Sequence, residues 1–124
     1  MITIFHNPNC GTSRNVLATI RAGGETPTVV DYVKVGWTRP QLETLFKAAG
    51  LTAQQALRTR GELVEELGLL VDGVSDAEVL DAMIAHPILV ERPFVAAPKG
   101  TALCRPADKV LTLLDHPPAA VVKV

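Results

Sequence analysis

ITIFHNPNCGTSRNVLATI, residues 2–20, carries the change of period that decides the fold. Ile2-Thr3-Ile4-Phe5 is short, β-branched and apolar, the pattern of a buried strand. Asn7-Pro8-Asn9 turns the chain. From about Ser13 the apolar positions Val16, Leu17 and Ile20 fall on one helical stripe, which Gly23-Gly24 ends. Cys10 stands at the junction of strand, loop and helix, with His6 four residues before it.

Thr28 to Val33 is again strand-like, and strand, helix, strand in that order predicts a parallel βαβ unit with a right-handed crossover. Thr38 and Gln41 have the spacing of a capping box, with Pro40 early in the helix, Leu42, Leu45, Phe46 and Ala49 as its stripe and Gly50 as its stop. Thr52 caps a short helix over 53–58, Gly61 interrupts, and 62–67 forms another turn or two. Ser75 and Glu78 mark a further helix with Val79, Leu80, Met83 and Ile84 on one face, ending near His86-Pro87. The stretch from about 38 to 86 therefore reads as a helical insertion. Ile88-Leu89-Val90, Phe94-Val95-Ala96 and Ala102-Leu103-Cys104 are strand-like, and the turn residues Pro98 to Thr101 make the last two a hairpin. Pro106 opens a last helix with Val110, Leu111 and Leu114 inward, and the tail after His116-Pro117-Pro118 has valines without an evident partner. The expectation is one α/β domain over 1–124, a mixed sheet with flanking helices.

Composition narrows the function classes. Twelve basic and thirteen acidic residues give a net charge of −1, which offers no general attraction to nucleic acid or to an acidic membrane, so an anion site has to be local. The apolar runs are too short to span a bilayer, and the N-terminus lacks the pattern of a secretory signal, so a cytoplasmic protein without membrane or nucleic-acid partners is expected. A monomer is the default. Two cysteines, Cys10 and Cys104, are present without a C-x-x-C, because Ser13 stands three after Cys10; a dithiol pair and a zinc knuckle are both disfavoured, and no metal or tightly bound cofactor is expected.

A thiol nucleophile needs local positive potential, since an ordinary cysteine is only slightly ionised at neutral pH. The N–H groups of Gly11 to Arg14 lie in a loop and first helical turn without internal acceptors and can point at one anion. Gly11 allows an oxyanion to approach that backbone, and Thr12 or Ser13 can offer a hydroxyl to the sulfur, to the anion or as a helix cap. A helix end contributes about 0.3–1 kcal/mol where exposed, against roughly 2.7 kcal/mol for lowering a thiol pKa by two units, so further donors are needed. Arg14 reads as a surface or structural residue, and Asn15 as one that hydrogen-bonds within the loop to hold Cys10. Neither the Cys-x5-Arg phosphate loop nor the Gly-x4-Gly-Lys-Ser/Thr nucleotide loop is present.

HNPNCGTSRN (6–15) resembles the active-site segment of the glutaredoxin-coupled, glutathione-dependent arsenate reductases, and the likeness continues through ALRTRGELVEELGL (56–69), HPILVERPFV (86–95) and GTALCRP (100–106) in the same order. The resemblance implies a thioredoxin-like fold, Cys10 as nucleophile, His6 beside it, and Arg58, Arg92 and Arg105 as a triad that binds arsenate. It implies a cis bond at Pro93. It also implies arsenical resistance as the setting, arsenate as substrate, glutathione as co-substrate and a glutaredoxin as partner, with one protein thiol sufficient because the second comes from solution. Cys104 falls in an apolar strand and is not needed as the nucleophile. The chain departs from the family in a shorter C-terminal tail. Two rival classes share the fold: a thioredoxin-like redox or transcriptional regulator that binds a protein partner, against which the absent C-x-x-C counts, and a thiol oxidoreductase acting on another substrate.

Overall fold

A computed structural model describes all residues, 1–124. Strand β1 (Thr3–His6) leads through a four-residue loop into helix α1 (Gly11–Ala22), and β2 (Thr28–Asp31) follows. β1 and β2 are parallel, with His6 opposite Asp31 at their C-terminal ends. β3 (Phe94–Ala97) and β4 (Gly100–Leu103) form a hairpin, and β3 pairs antiparallel with β1. The sheet order is β2-β1-β3-β4, a mixed thioredoxin-like sheet with an additional helical segment between β2 and β3, as the sequence led us to expect.

The chain divides into two compact units, one of Met1–Val35 with Arg92–Val124 and the other of Gly36–Glu91. In the first, alternation along β1 sends Ile4 and His6 to one side, and Ile2 and Ile4 join Val16 and Ile20 of α1, Val95 of β3, Cys104, Val110, Leu113 and Leu114 in one core. The segment Ala107–Leu113 supplies the last of these as a 3-10 helix rather than the α-helix expected, and it buries Leu113 where Leu111 was expected. Tyr32 and Val33, read as the end of a strand, fall in a short helix, α2 (Tyr32–Val35).

In the second unit, α3 (Arg39–Ala49) is held by the Thr38–Gln41 capping box, with both reciprocal bonds present and Gly50 left-handed at its end (φ 70°), a cap worth about 1 kcal/mol. α4 (Glu62–Glu66) is short, and α5 (Asp76–Ala85) starts at Ser75, whose hydroxyl accepts the Glu78 N–H. Residues 53–58, expected as a helix, are turns ending in a bridge, and Ile88-Leu89-Val90, expected as a strand, is a 3-10 turn (Pro87–Leu89) followed by the bridging Val90. The physical reason is that these two segments satisfy each other. Leu57 bridges Val90 antiparallel, the Arg58 N–H donates to Leu89 O (2.8 Å), and the Glu91 N–H donates to Ala56 O (2.8 Å). No helix is long and apolar enough to cross a membrane.

Candidate active site

The loop between β1 and α1 is tied down by its own polar groups. The Asn7 side-chain oxygen accepts the Asn9 N–H (3.0 Å), the Asn7 carbonyl accepts the Cys10 N–H (3.0 Å), and the Arg14 guanidinium reaches back to the Pro8 carbonyl (2.9 Å). Cys10 thereby becomes the N-cap of α1, its carbonyl accepting the first helical bond from the Arg14 N–H (3.0 Å). The helix begins two residues earlier than the apolar stripe indicated, and the thiol sits at its mouth, half-buried.

Five influences on the Cys10 thiol compete. Burial is the largest and pushes its pKa up. The Ser13 backbone N–H, the Arg105 and Arg92 side chains and the positive charge of Arg92 together outweigh it, so the thiol lies below its ordinary value. Arg105 Nη1 stands 3.7 Å from Cys10 Sγ and also donates to the Arg92 carbonyl (3.0 Å), which joins the segment before β3 to the segment after β4 at the sulfur. Arg92 is 4 % exposed, so its charge acts at low dielectric. Both arginines precede cis prolines, Pro93 and Pro106.

The Ser13 hydroxyl was expected as a donor to sulfur or anion, or as a cap; it does none of these. It is fully buried, accepts the Asn7 N–H (3.1 Å), and lies 2.6 Å from His6 Nδ1. The His6 pKa is held below its ordinary value, chiefly by burial; Asp31 opposes this and Arg21 and Arg14 reinforce it. His6 thus meets the loop through the Ser13 hydroxyl. Thr12 is half-exposed in the first turn of α1, and Gly11 is exposed, where an added Cβ would meet only Arg14 Nη2 at 3.6 Å.

Asn15 does not hold the loop. Its side-chain oxygen accepts the Val124 N–H (2.9 Å), and Thr19 Oγ1 accepts the Val122 N–H (2.9 Å), so the tail, unpartnered in the sequence reading, lies along α1. Arg58 belongs to the other unit, half-exposed, on the segment bonded to Leu89. Cys104 is buried in the core, its thiol pushed up to about 12 by desolvation, which disfavours the reactive thiolate. No group of three or more His, Cys, Asp or Glu side chains is placed to hold a metal ion. Sequence reasoning passed over Asn7 and Ser13 as the anchors of the loop, although the Asn-Pro-Asn turn is the local signal that a side chain will satisfy this backbone.

The sequence matches the ArsC family over residues 5–113. It is similar to the arsenate reductase ArsI2 of a Synechocystis strain, at 59% identity over 96% of this chain and 85% of that protein, and to an arsenate reductase of Escherichia coli K12, at 47% over 91% and 80%. Among solved structures it is similar to an arsenate reductase from Vibrio cholerae, with a TM-score of 0.86 and 34% identity, over 91% of this chain and 97% of that one. The glutathione- and glutaredoxin-coupled subtype expected from the sequence does not stand, either as co-substrate, as partner or as enzyme class: a three-cysteine relay cannot be drawn on a chain with two cysteines, of which one is sealed in the core.

Proposed function

The chain belongs to the ArsC family, and we propose from that membership that it is a cysteine-dependent oxidoreductase whose substrate is arsenate. Cys10 is the nucleophile. Arg92, Arg105 and the N–H groups of Gly11, Thr12 and Ser13 receive the oxyanion, Arg58 is the third guanidinium by family resemblance, and His6 positions the loop through Ser13. Arg14, Asn7 and Pro93 shape the site. The thiolate attacks arsenic, an S–As bond forms, and one arsenate oxygen leaves as water, its protons coming from the arsenate hydroxyls and solvent. An external two-electron reductant is then oxidised as arsenic goes from the +5 to the +3 state, the S–As bond breaks, Cys10 returns as the thiolate, and arsenite departs.

The observation that carries this reading is the approach of Arg105 to Cys10 Sγ at 3.7 Å beside the buried Arg92, which lowers the thiol pKa and provides planar, fixed donors suited to a tetrahedral oxyanion. Those donors hold nothing specific to arsenic, and this favours a second reading: a thiol oxidoreductase of the same fold acting on another oxyanion. One experiment separates the two. Iodoacetamide alkylation of Cys10 is followed with arsenate, phosphate and sulfate present in turn, and the arsenate-treated protein is weighed for a covalent adduct that Cys10→Ser abolishes. Arsenate protection with an adduct is expected. Equal protection by all three anions without an adduct favours the second reading, and no protection by any overturns both. Since these steps precede electron transfer, neither outcome depends on which donor serves.

A further inference from the structure

Arg60 stands two residues after Arg58, and Glu91 directly before Arg92. The structure joins them in a two-pronged ion pair. Arg60 Nη1 donates to Glu91 Oε2 (3.1 Å) and Nη2 to Oε1 (3.0 Å). Glu91 is largely covered, its side chain 13% exposed against 48% for Arg60. A bidentate guanidinium–carboxylate pair fixes direction as well as distance, so it constrains two backbones more than a single-point contact would.

The pair closes a short antiparallel ribbon. Its other ties are the two hydrogen bonds that make the Leu57–Val90 bridge, Arg58 N–H to Leu89 O and Glu91 N–H to Ala56 O. Each strand of the ribbon borders an arginine of the proposed anion site: Arg58 lies two residues before Arg60, and Arg92 directly follows Glu91. Two backbone hydrogen bonds hold the segments together, with Arg58 opposite Leu89 and Ala56 opposite Glu91, and the side-chain pair runs from Arg60 back to Glu91. The pair fixes the chain two residues after Arg58, and Gly61, with φ 95°, begins a turn directly after it.

We propose that Arg60 and Glu91 are a positioning pair that sets the aim of Arg58, the anion-binding arginine of their own unit, a role resting on the reading of the site given above. Neither residue touches the sulfur or donates to substrate. Their effect belongs to oxyanion affinity and not to the ionisation of Cys10, whose lowered pKa comes from Ser13, Arg105 and Arg92.

The test is the arsenate concentration that half-protects Cys10 from iodoacetamide, compared among wild type, Arg60→Gln, Glu91→Gln and the exchange Arg60→Glu/Glu91→Arg, beside the alkylation rate without arsenate and the amide exchange of Arg58 and Glu91. Each single variant is expected to raise the half-protecting concentration about three- to fivefold, in line with a partly exposed bidentate pair, and to speed exchange at both amides. The rate without arsenate should stay at the wild-type value, and the exchanged pair should recover most of the affinity. Wild-type protection with unchanged concentrations in both single variants overturns the positioning role alone. Failure of arsenate to protect wild type overturns the site reading and this inference with it. A loss that the exchanged pair fails to recover, while thermal unfolding is unchanged, assigns the effect to Arg60 or Glu91 separately and overturns the pair.

Discussion

Arg105 donates to the Arg92 carbonyl at 3.0 Å while its Nη1 stands 3.7 Å from the Cys10 sulfur, so one guanidinium is fixed to the backbone just before β3 and faces the thiol at the N-terminus of α1. A cation anchored in this way keeps its favourable interaction with a thiolate without the entropy that a free surface side chain would lose.

Replacing Arg105 by alanine removes a charge-assisted donor from a half-buried thiol that burial already pushes toward the neutral form. The alkylation midpoint moves up in pH, and the rate at pH 7 falls about five- to tenfold, the equivalent of roughly 1–1.4 kcal/mol. The check is iodoacetamide labelling from pH 5 to pH 10. A profile unchanged from wild type would remove Arg105 from the stabilisation of the thiolate.

Ser13 separates two roles that its sequence position confuses. Its backbone N–H serves the sulfur, whereas its hydroxyl serves His6 and Asn7. Ser13→Ala keeps the first and deletes the second, leaving the buried Asn7 N–H and His6 Nδ1 without that partner. Unfolding by urea should show a loss of about 1–3 kcal/mol, while the alkylation rate of Cys10 at pH 7 changes less than about twofold, a small effect because the sulfur's own donors remain. A rate loss as large as that of Arg105→Ala would mean that the hydroxyl acts on the thiol directly.

The β1–α1–β2 unit, the capping box of α3 and the final hairpin were legible because each is written in neighbouring residues: a change of period, Thr38 with Gln41, and the turn at Pro98-Lys99. Residues 53–58 and 88–90 were misread for the converse reason. Their backbone partners are each other, more than thirty positions away, and no local pattern carries that pairing. The same distance hid Arg60 with Glu91 and Asn15 with Val124. At the site, Cys10 was legible from its place between strand and helix, and the arginines from the resemblance of four segments. The division of labour within Ser13 was not, because hydroxyl and N–H roles depend on which way a fully buried side chain turns.

The tail offers a test confined to one side of α1. Asn15→Ala removes the acceptor of the Val124 N–H but leaves Thr19, which holds Val122 and itself donates to the Asn15 carbonyl (2.7 Å). Amide exchange at Val124 should accelerate strongly while Val122 stays protected, and Cys10 alkylation should be unchanged. Slower alkylation in this variant would restore the loop-holding role that the sequence implied for Asn15.

Cys104 sets the last expectation and its dependence on pH. With the thiol pushed up to about 12 by burial, the folded state favours the neutral form. The resulting stability is complete below the ordinary thiol range near 8.5, and it drains away as pH rises toward the folded value, because the unfolded chain releases its proton first. Cys104→Ala takes out a core side chain, costing about 1–2 kcal/mol near neutrality, and takes out this alkaline liability as well. Between pH 9 and pH 10.5 wild type should lose about 2 kcal/mol relative to the variant, read as the difference between their urea unfolding curves at each pH, with other alkaline titrations common to both. Arsenate protection of Cys10 and formation of its adduct should be the same in both proteins. An adduct that depends on Cys104 would bring the second thiol into the chemistry, and a constant stability difference across that pH window would mean that Cys104 is not sealed from water.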